Sequence, residues 1–301
     1  MSIYLKLFPI FLMFILGFFS KRLRLFGDKS ADIFLRFVMF VSLPALILKS
    51  ISESDLSESF LLIPLIAIAV FLILMMLGFL VAGILKIEKK TKATLIMGMT
   101  FMNTGFVLPF LIATLDASGI TAAVIFDLTN TFLIYSLGYS ISVKMSADNP
   151  ESSFPGLKLL QNPPLWAFIL ALFLNIINIK LPEFIVNSLD QIAVTTIPLI
   201  IFSLGIYFKL KVEKLRLVLF TVLIRMGIGL VVGIFFCRYM GITADARIAV
   251  LISSAAPIGY STLLFSAMER LDRRFASALI SVSILFGMIL TPILIVLLAL
   301  L

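Results

Sequence analysis

The sequence predicts an all-α integral membrane protein: ten transmembrane helices forming two inverted five-helix repeats, with broken helices 4 and 9 crossing. Three observations carry that expectation. The composition suits lipid, the basic residues fall in alternate loops, and three proline or glycine landmarks recur at one offset.

Of the 301 residues, 61% are hydrophobic and 13% charged, with a mean hydropathy of +1.19. A soluble domain carries about 25% charged residues, so this chain would present too much apolar surface to water. The net charge of +8 does not point to nucleic acid, because the Lys and Arg residues sit in separated short loops and not along one face. The single Cys237 has no disulfide partner, and there is no histidine. No catalytic residue, metal site or resident cofactor is therefore expected. An apolar stretch from Leu7 to Phe19 precedes Lys21, Arg22 and Arg24. A cleaved leader has its charges before the apolar run, so this is the first span.

A bilayer core needs roughly 20 apolar residues per helix. Cutting at charged or turn-rich stretches gives spans at 3–20, 31–49, 60–85, 92–115, 119–143, 161–179, 184–208, 214–239, 246–268 and 274–300. The polar segment 146–160 lies at the midpoint and divides a first repeat, 1–145, from a second, 161–301. Placing the N-terminus outside puts seventeen basic residues in inner loops and five outside, with Arg36 and Arg225 inside spans. Cytoplasmic loops hold the excess of Lys and Arg, so both termini are expected outside a cell inner (plasma) membrane.

The halves align at an offset of 154: Pro9 with Pro163, Pro44 with Pro198, and Gly105 with Gly259. An odd number of spans per copy makes the second copy enter from the opposite face, the inverted repeat of many secondary transporters.

Spans 4 and 9 are interrupted by Asn103-Thr-Gly-Phe-Val-Leu-Pro109 and by Ser253-Ser-Ala-Ala-Pro-Ile-Gly-Tyr-Ser261. A proline within a helix removes a hydrogen bond, and in lipid the freed groups need protein, water or ligand. The half-helix N-termini carry partial positive charge suited to a carboxylate. The substrate site is therefore expected at Asn103, Thr104, Gly105 and Pro109 in span 4, and at Pro257, Gly259, Tyr260 and Ser261 in span 9.

These segments also resemble a known family. NTGFVLPFL with LDASGITAAVIFDLTN downstream, QNPPLWAFILALFLNI, and AAPIGYSTLLFSAMERLD followed by FASALISVSILFGMILTPIL are similar to the auxin efflux carrier family. The resemblance covers nearly the whole chain. It implies a bile acid sodium symporter-like fold, with scaffold helices 1, 2, 6 and 7 and transport helices 3–5 and 8–10. It also implies a carboxylate-bearing substrate at the crossover, where Asn103, Pro109 and Pro257 match the family's features, and a scaffold surface suited to a homodimer. The short central loop departs from the long one of the plant exporters.

Few ionisable residues fall within spans, where each is costly unless paired or hydrated. Asp127 shares a helix face with Asn130 and Thr131. Two readings stand: this face binds a coupling ion, Na⁺ or H⁺, or Asp127 pairs structurally with Arg225, which could instead draw an anion inward. The function expected is a secondary transporter of a small organic anion working by elevator-like alternating access. The alternative is a passive channel or uniporter for organic anions.

Overall fold

A computed structural model of the chain describes residues 3–52, 58–145, 163–208 and 214–299. The central loop 146–160 lies outside the described residues, as do Lys209 and Lys211. Among the described residues the secondary structure is helical, and the single β-feature is an isolated antiparallel bridge between Met102 and Ile258. Among the described residues, six helical stretches are long and apolar enough to cross a membrane, and Thr104–Thr114 and Pro163–Ile176 are shorter apolar helices.

Helix α1 (Ile3–Arg22) leads into α2 (Asp28–Phe37) and α3 (Leu43–Ser52), which are joined by a π-turn at Val38–Ser42. Span 2 is thus continuous but widened just before Pro44, whose missing N–H cannot serve a regular helical turn. Helix α4 (Ile63–Ile84) starts with a proline in its first turn, where the absent N–H costs nothing. Then come α5 (Lys89–Thr100), α6 (Thr104–Thr114), α7 (Ala117–Leu133), a π-turn at Ile134–Gly138 and α8 (Tyr139–Met145).

The second part holds α9 (Pro163–Ile176), α10 (Glu183–Ala193), α11 (Thr196–Tyr207) and α12 (Leu215–Tyr239). It continues with α13 (Ala244–Ser254), α14 (Ser261–Met268) and α15 (Arg273–Ala299). Two aspartates begin the helices that follow the interrupted spans. Asp116 accepts from the Gly119 amide at 2.9 Å to cap α7, and Asp272 accepts from the Phe275 amide at 3.0 Å at the head of α15.

The closest packing joins distant parts of the chain. Helix α1 lies along α11, and α3 lies along α9. A Cβ at Gly17 would collide with the Phe202 carbonyl oxygen, and one at Gly205 with the Phe14 carbonyl oxygen. Lipid-embedded helices gain little from apolar burial against each other, so small residues that admit backbone contact hold such pairs. Elsewhere α4 packs on α5 and α7, α12 on α13 and α15, and α7 on α13. Large apolar side chains such as Leu61, Phe79, Phe173 and Phe235 stay exposed on the outside of the bundle, as a lipid-facing surface requires.

Candidate functional site

The segments expected as spans 4 and 9 both break, and the breaks meet. Between α5 and α6 the backbone is extended at Phe101, and the short segment ends at Asn103. Between α13 and α14 the corresponding segment runs from Ala255 to Tyr260. The two pass each other antiparallel: the Asn103 amide donates to the Pro257 carbonyl at 2.8 Å, and the Gly259 amide donates to the Phe101 carbonyl at 2.9 Å. Each break thus supplies partners for main-chain groups that its own helix has released, which a lipid environment demands.

Pro257 lies within the span 9 interruption. Pro109 does not interrupt span 4 in the same way. The helix stops before Asn103 and restarts at Thr104, leaving Pro109 buried inside α6. Its ring deprives the Gly105 carbonyl of the usual donor four residues on. Gly105 is exposed, and a Cβ there would meet nothing nearer than the Asn103 Oδ1 at 3.8 Å, so open space adjoins Asn103.

Asn103 has two distinct ends. Its Oδ1 accepts from the Phe106 amide at 3.2 Å and caps α6, whereas its Nδ2 is buried with no partner among the described residues. The Tyr260 hydroxyl, at the start of α14, is also buried without a partner, and its ring lies 6.1 Å from that of Tyr207 on α11. Ser261 is partly buried at the first position of α14. Both α6 and α14 point their N-termini into the crossing, so the local field favours negative charge.

The Thr104 hydroxyl donates to the Asp127 carboxylate. Asn130, 1% exposed, donates its Nδ2 to the Met102 carbonyl at 3.0 Å and leaves its Oδ1 without a partner. Among the described residues, no hydrogen bond ties Thr131 to this group. The structure does bring Asp127 and Asn130 to the crossing, each through a different residue of the span 4 break.

The pairing of Asp127 with Arg225 is not formed. Arg225, fully buried on α12, donates from Nη1 to the carbonyls of Ser254, at 3.4 Å, and Ala256. The reason is reach: the guanidinium lies under the end of α13, whose carbonyls lack helical donors, whereas Asp127 is engaged at the head of α6. Ser283 on α15 is a further contributor, its Oγ accepting from the Ile258 amide at 3.1 Å. A serine in an apolar span carries no local signal of that role.

A crevice of about 350 Å³ opens between α3, α6, α7 and α10, lined in part by Lys49, Ile112, Asp116, Ile120, Asp190 and Ile197. Lys49 and Asp190, both in its lining, form an ion pair. Partial burial pushes the Asp116 carboxyl up, but hydrogen bonds from the Gly119 amide and Ser118 hydroxyl outweigh it and hold the group below its ordinary 3.8.

A family model described as "Membrane transport protein" matches residues 2–295. An uncharacterized transporter of Methanocaldococcus jannaschii is 23% identical over 290 residues, covering 93% of this chain and 94% of that protein. An uncharacterized transporter of Methanothermobacter thermautotrophicus is 29% identical over 196 residues, covering 64% of this chain and 63% of its own length. The uncharacterized transporter YfdV of Escherichia coli K12 is 24% identical over 300 residues, covering 95% of this chain and 94% of its own.

Proposed function

The chain belongs to the membrane transport protein family, the auxin-efflux-carrier-like group that its motifs resemble, and from that premise we propose a secondary transporter of small organic anions. Its cargo carries a carboxylate and binds at the crossing of spans 4 and 9. The observation that carries this reading is the buried, unpartnered Nδ2 of Asn103 beside the N-terminus of α6, with exposed Gly105 next to it. A donor aimed at no protein acceptor, at the positive end of a half-helix, suits a carboxylate oxygen.

The movement proposed is elevator-like. Spans 1, 2, 6 and 7 form the scaffold and spans 3–5 and 8–10 the moving unit. Support comes from reciprocity: α1 of span 1 packs on α11 of span 7, while α3 of span 2 packs on α9 of span 6. Exchanging the halves at an offset of 154 converts one pair into the other. The crevice between α3 and α10 on one side and α6 and α7 on the other separates those two units. By loop charge its mouth is the outer one. A coupling cation at Asp127 and Asn130 completes the proposal, because a carboxylate with one hydroxyl donor and no cationic partner among the described residues, beside the orphan Asn130 Oδ1, offers oxygens to a cation.

The test is uptake of labelled benzoate and succinate by proteoliposomes of the purified chain. Saturable uptake accelerated by unlabelled carboxylate on the opposite side is expected. Flux that neither saturates nor shows counter-transport would replace the carrier with a channel.

A further inference from the structure

We infer that Arg225 sets the sign of the cargo's charge, acting as a fixed positive charge beside the crossing; this rests on the transport reading above.

The argument begins with where the cation lies. Arg225 is 0% exposed and heads the largest fully buried side chains. A charge withdrawn from water in this way is ordinarily balanced by a carboxylate. Among the described residues, the ion pairs are Lys21–Asp28, Lys49–Asp190 and Lys214–Asp272, and none of them includes Arg225. Its acceptors are the carbonyls of Ser254 and Ala256, the negative end of α13, while Nε and Nη2 have no partner among the described residues. The charge is solvated by dipoles but not neutralised.

Bracing the break does not by itself require a cation. The 154 offset makes Met102 the counterpart of Ala256. The Met102 carbonyl is satisfied by the neutral amide of Asn130, at 3.0 Å. The counterpart of Arg225 is Phe71, fully buried and stacked on Phe101 with centroids 6.3 Å apart. One half of the crossing is therefore held with no positive charge, and the other carries one that bracing leaves unexplained.

The fold also invests in bringing that charge close. Arg225, Gly229 and Gly233 recur every four residues along one face of α12. A Cβ at Gly229 would collide with the Ser254 carbonyl oxygen, and one at Gly233 would lie 2.9 Å from the Ser254 Oγ. These glycines press α12 onto the end of α13, and the guanidinium then reaches the carbonyl immediately before Pro257. Pro257 in turn accepts from Asn103. The charge is thus one main-chain segment removed from the proposed cargo site, in a medium that screens it weakly.

The charge balance follows. Asp127 is an acidic group held by the crossing, through Thr104. When the coupling cation neutralises Asp127, Arg225 leaves one positive charge in excess. A monoanion restores neutrality, whereas a neutral analogue of the same shape does not. Arg225 is a specificity-determining residue, acting through the field and through the carbonyls it holds, with no contact to cargo required.

The experiment compares binding and proteoliposome uptake of benzoate with benzamide, and of butyrate with butyramide, in wild type, Arg225→Gln and Arg225→Lys. Arg225→Gln keeps amide donors and removes the charge. It is expected to lower the carboxylate-to-amide preference roughly ten-fold or more, while Arg225→Lys keeps the preference at a reduced rate. Arg225→Gln that stays monodisperse and retains the preference overturns the inference and leaves the transport reading standing. If Arg225→Gln does not fold, Arg225→Lys decides: loss of preference with the charge still present overturns the inference. A wild type with no preference for carboxylates overturns both.

Discussion

The backbone amide of Asn103 donates to the Pro257 carbonyl at 2.8 Å, so the two halves of the chain meet through main chain at the centre of the molecule. The Asn103 side chain is left to do two other things: Oδ1 caps α6, and Nδ2 remains without a partner. Substitution can separate them. Asn103→Ser retains a capping oxygen and loses the amide donor, whereas Asn103→Ala loses both, at a cost of about 1 kcal/mol in helix stability. Both variants are expected to lose carboxylate uptake by roughly 100-fold, with only Asn103→Ala lowering the melting temperature. Near-wild-type uptake by Asn103→Ser would assign the residue to capping alone.

How much of this crossing could be read from residue types varies with where the determining partner lies. Pro257 announces its own interruption, because a proline in a run that also holds Ser253, Ser254, Gly259 and Ser261 releases backbone groups locally. Asn103 marks the end of the span 4 break, but its start is not legible, since Phe101 and Met102 are apolar and carry no turn signal. Their extended conformation is held by Pro257 and Gly259, 154 or more residues away. A proline usually marks a break, but Pro109, the sixth of the eleven residues of α6, removes one hydrogen bond without ending the helix. Arg225 and Asp127 lie at similar depth in their spans, and depth alone does not separate a pair from two independent sites. The azimuth of each around its helix decides that, and packing sets the azimuth.

Asp127 and Asn130 are tied to consecutive parts of one break, Asp127 to Thr104 and Asn130 to Met102. A cation held by their free oxygens would therefore be felt at Asn103, which lies between those two partners. Flux driven by imposed Na⁺ and pH gradients is expected to depend on one of them in wild type. That dependence should vanish in Asp127→Asn, with uptake reduced about ten-fold. An Asp127→Asn variant that keeps both the rate and its gradient dependence would remove this group from coupling.

Lys214, Asp272 and Thr91 clasp the starts of α12, α15 and α5. Lys214 Nζ donates to Asp272 Oδ2 at 2.8 Å and to Thr91 Oγ1 at 3.0 Å, and the Thr91 hydroxyl donates to Asp272 Oδ2 at 2.7 Å. Burial alone would raise the Asp272 carboxyl, but Lys214, the Phe275 amide and Thr91 outweigh it and hold the group below 3.8. A depressed carboxylate contributes stability above its unfolded value and loses it as pH falls through the folded one. Because the Lys214 side chain is 45% exposed, the ionic part is worth about 0.5–1 kcal/mol. Thermal unfolding in detergent should show Asp272→Asn less stable at about pH 7, with the gap closing as pH falls below 3.8. A gap unchanged across that range would show that the charge contributes nothing to the clasp.

The pairing of α1 with α11 rests on two glycines that leave no room for a methyl group. At Gly205 an added Cβ would meet the Phe14 carbonyl oxygen and lie 2.8 Å from the Phe18 amide nitrogen, and at Gly17 it would meet the Phe202 carbonyl. Those neighbours are backbone atoms of a packed helix and cannot rotate away, so the helices themselves must separate. Gly17→Ala and Gly205→Ala are each expected to cost about 1–3 kcal/mol. Together they should add to less than twice that, because one separation relieves both collisions. Gly83 on α4 supplies the control, since nothing lies within 4 Å of a Cβ built there. Gly83→Ala gains helix propensity of roughly 1 kcal/mol with no collision, so its melting temperature should match or exceed that of wild type. Equal melting temperatures for Gly205→Ala and Gly83→Ala would mean that the α1–α11 contact is not set by backbone approach.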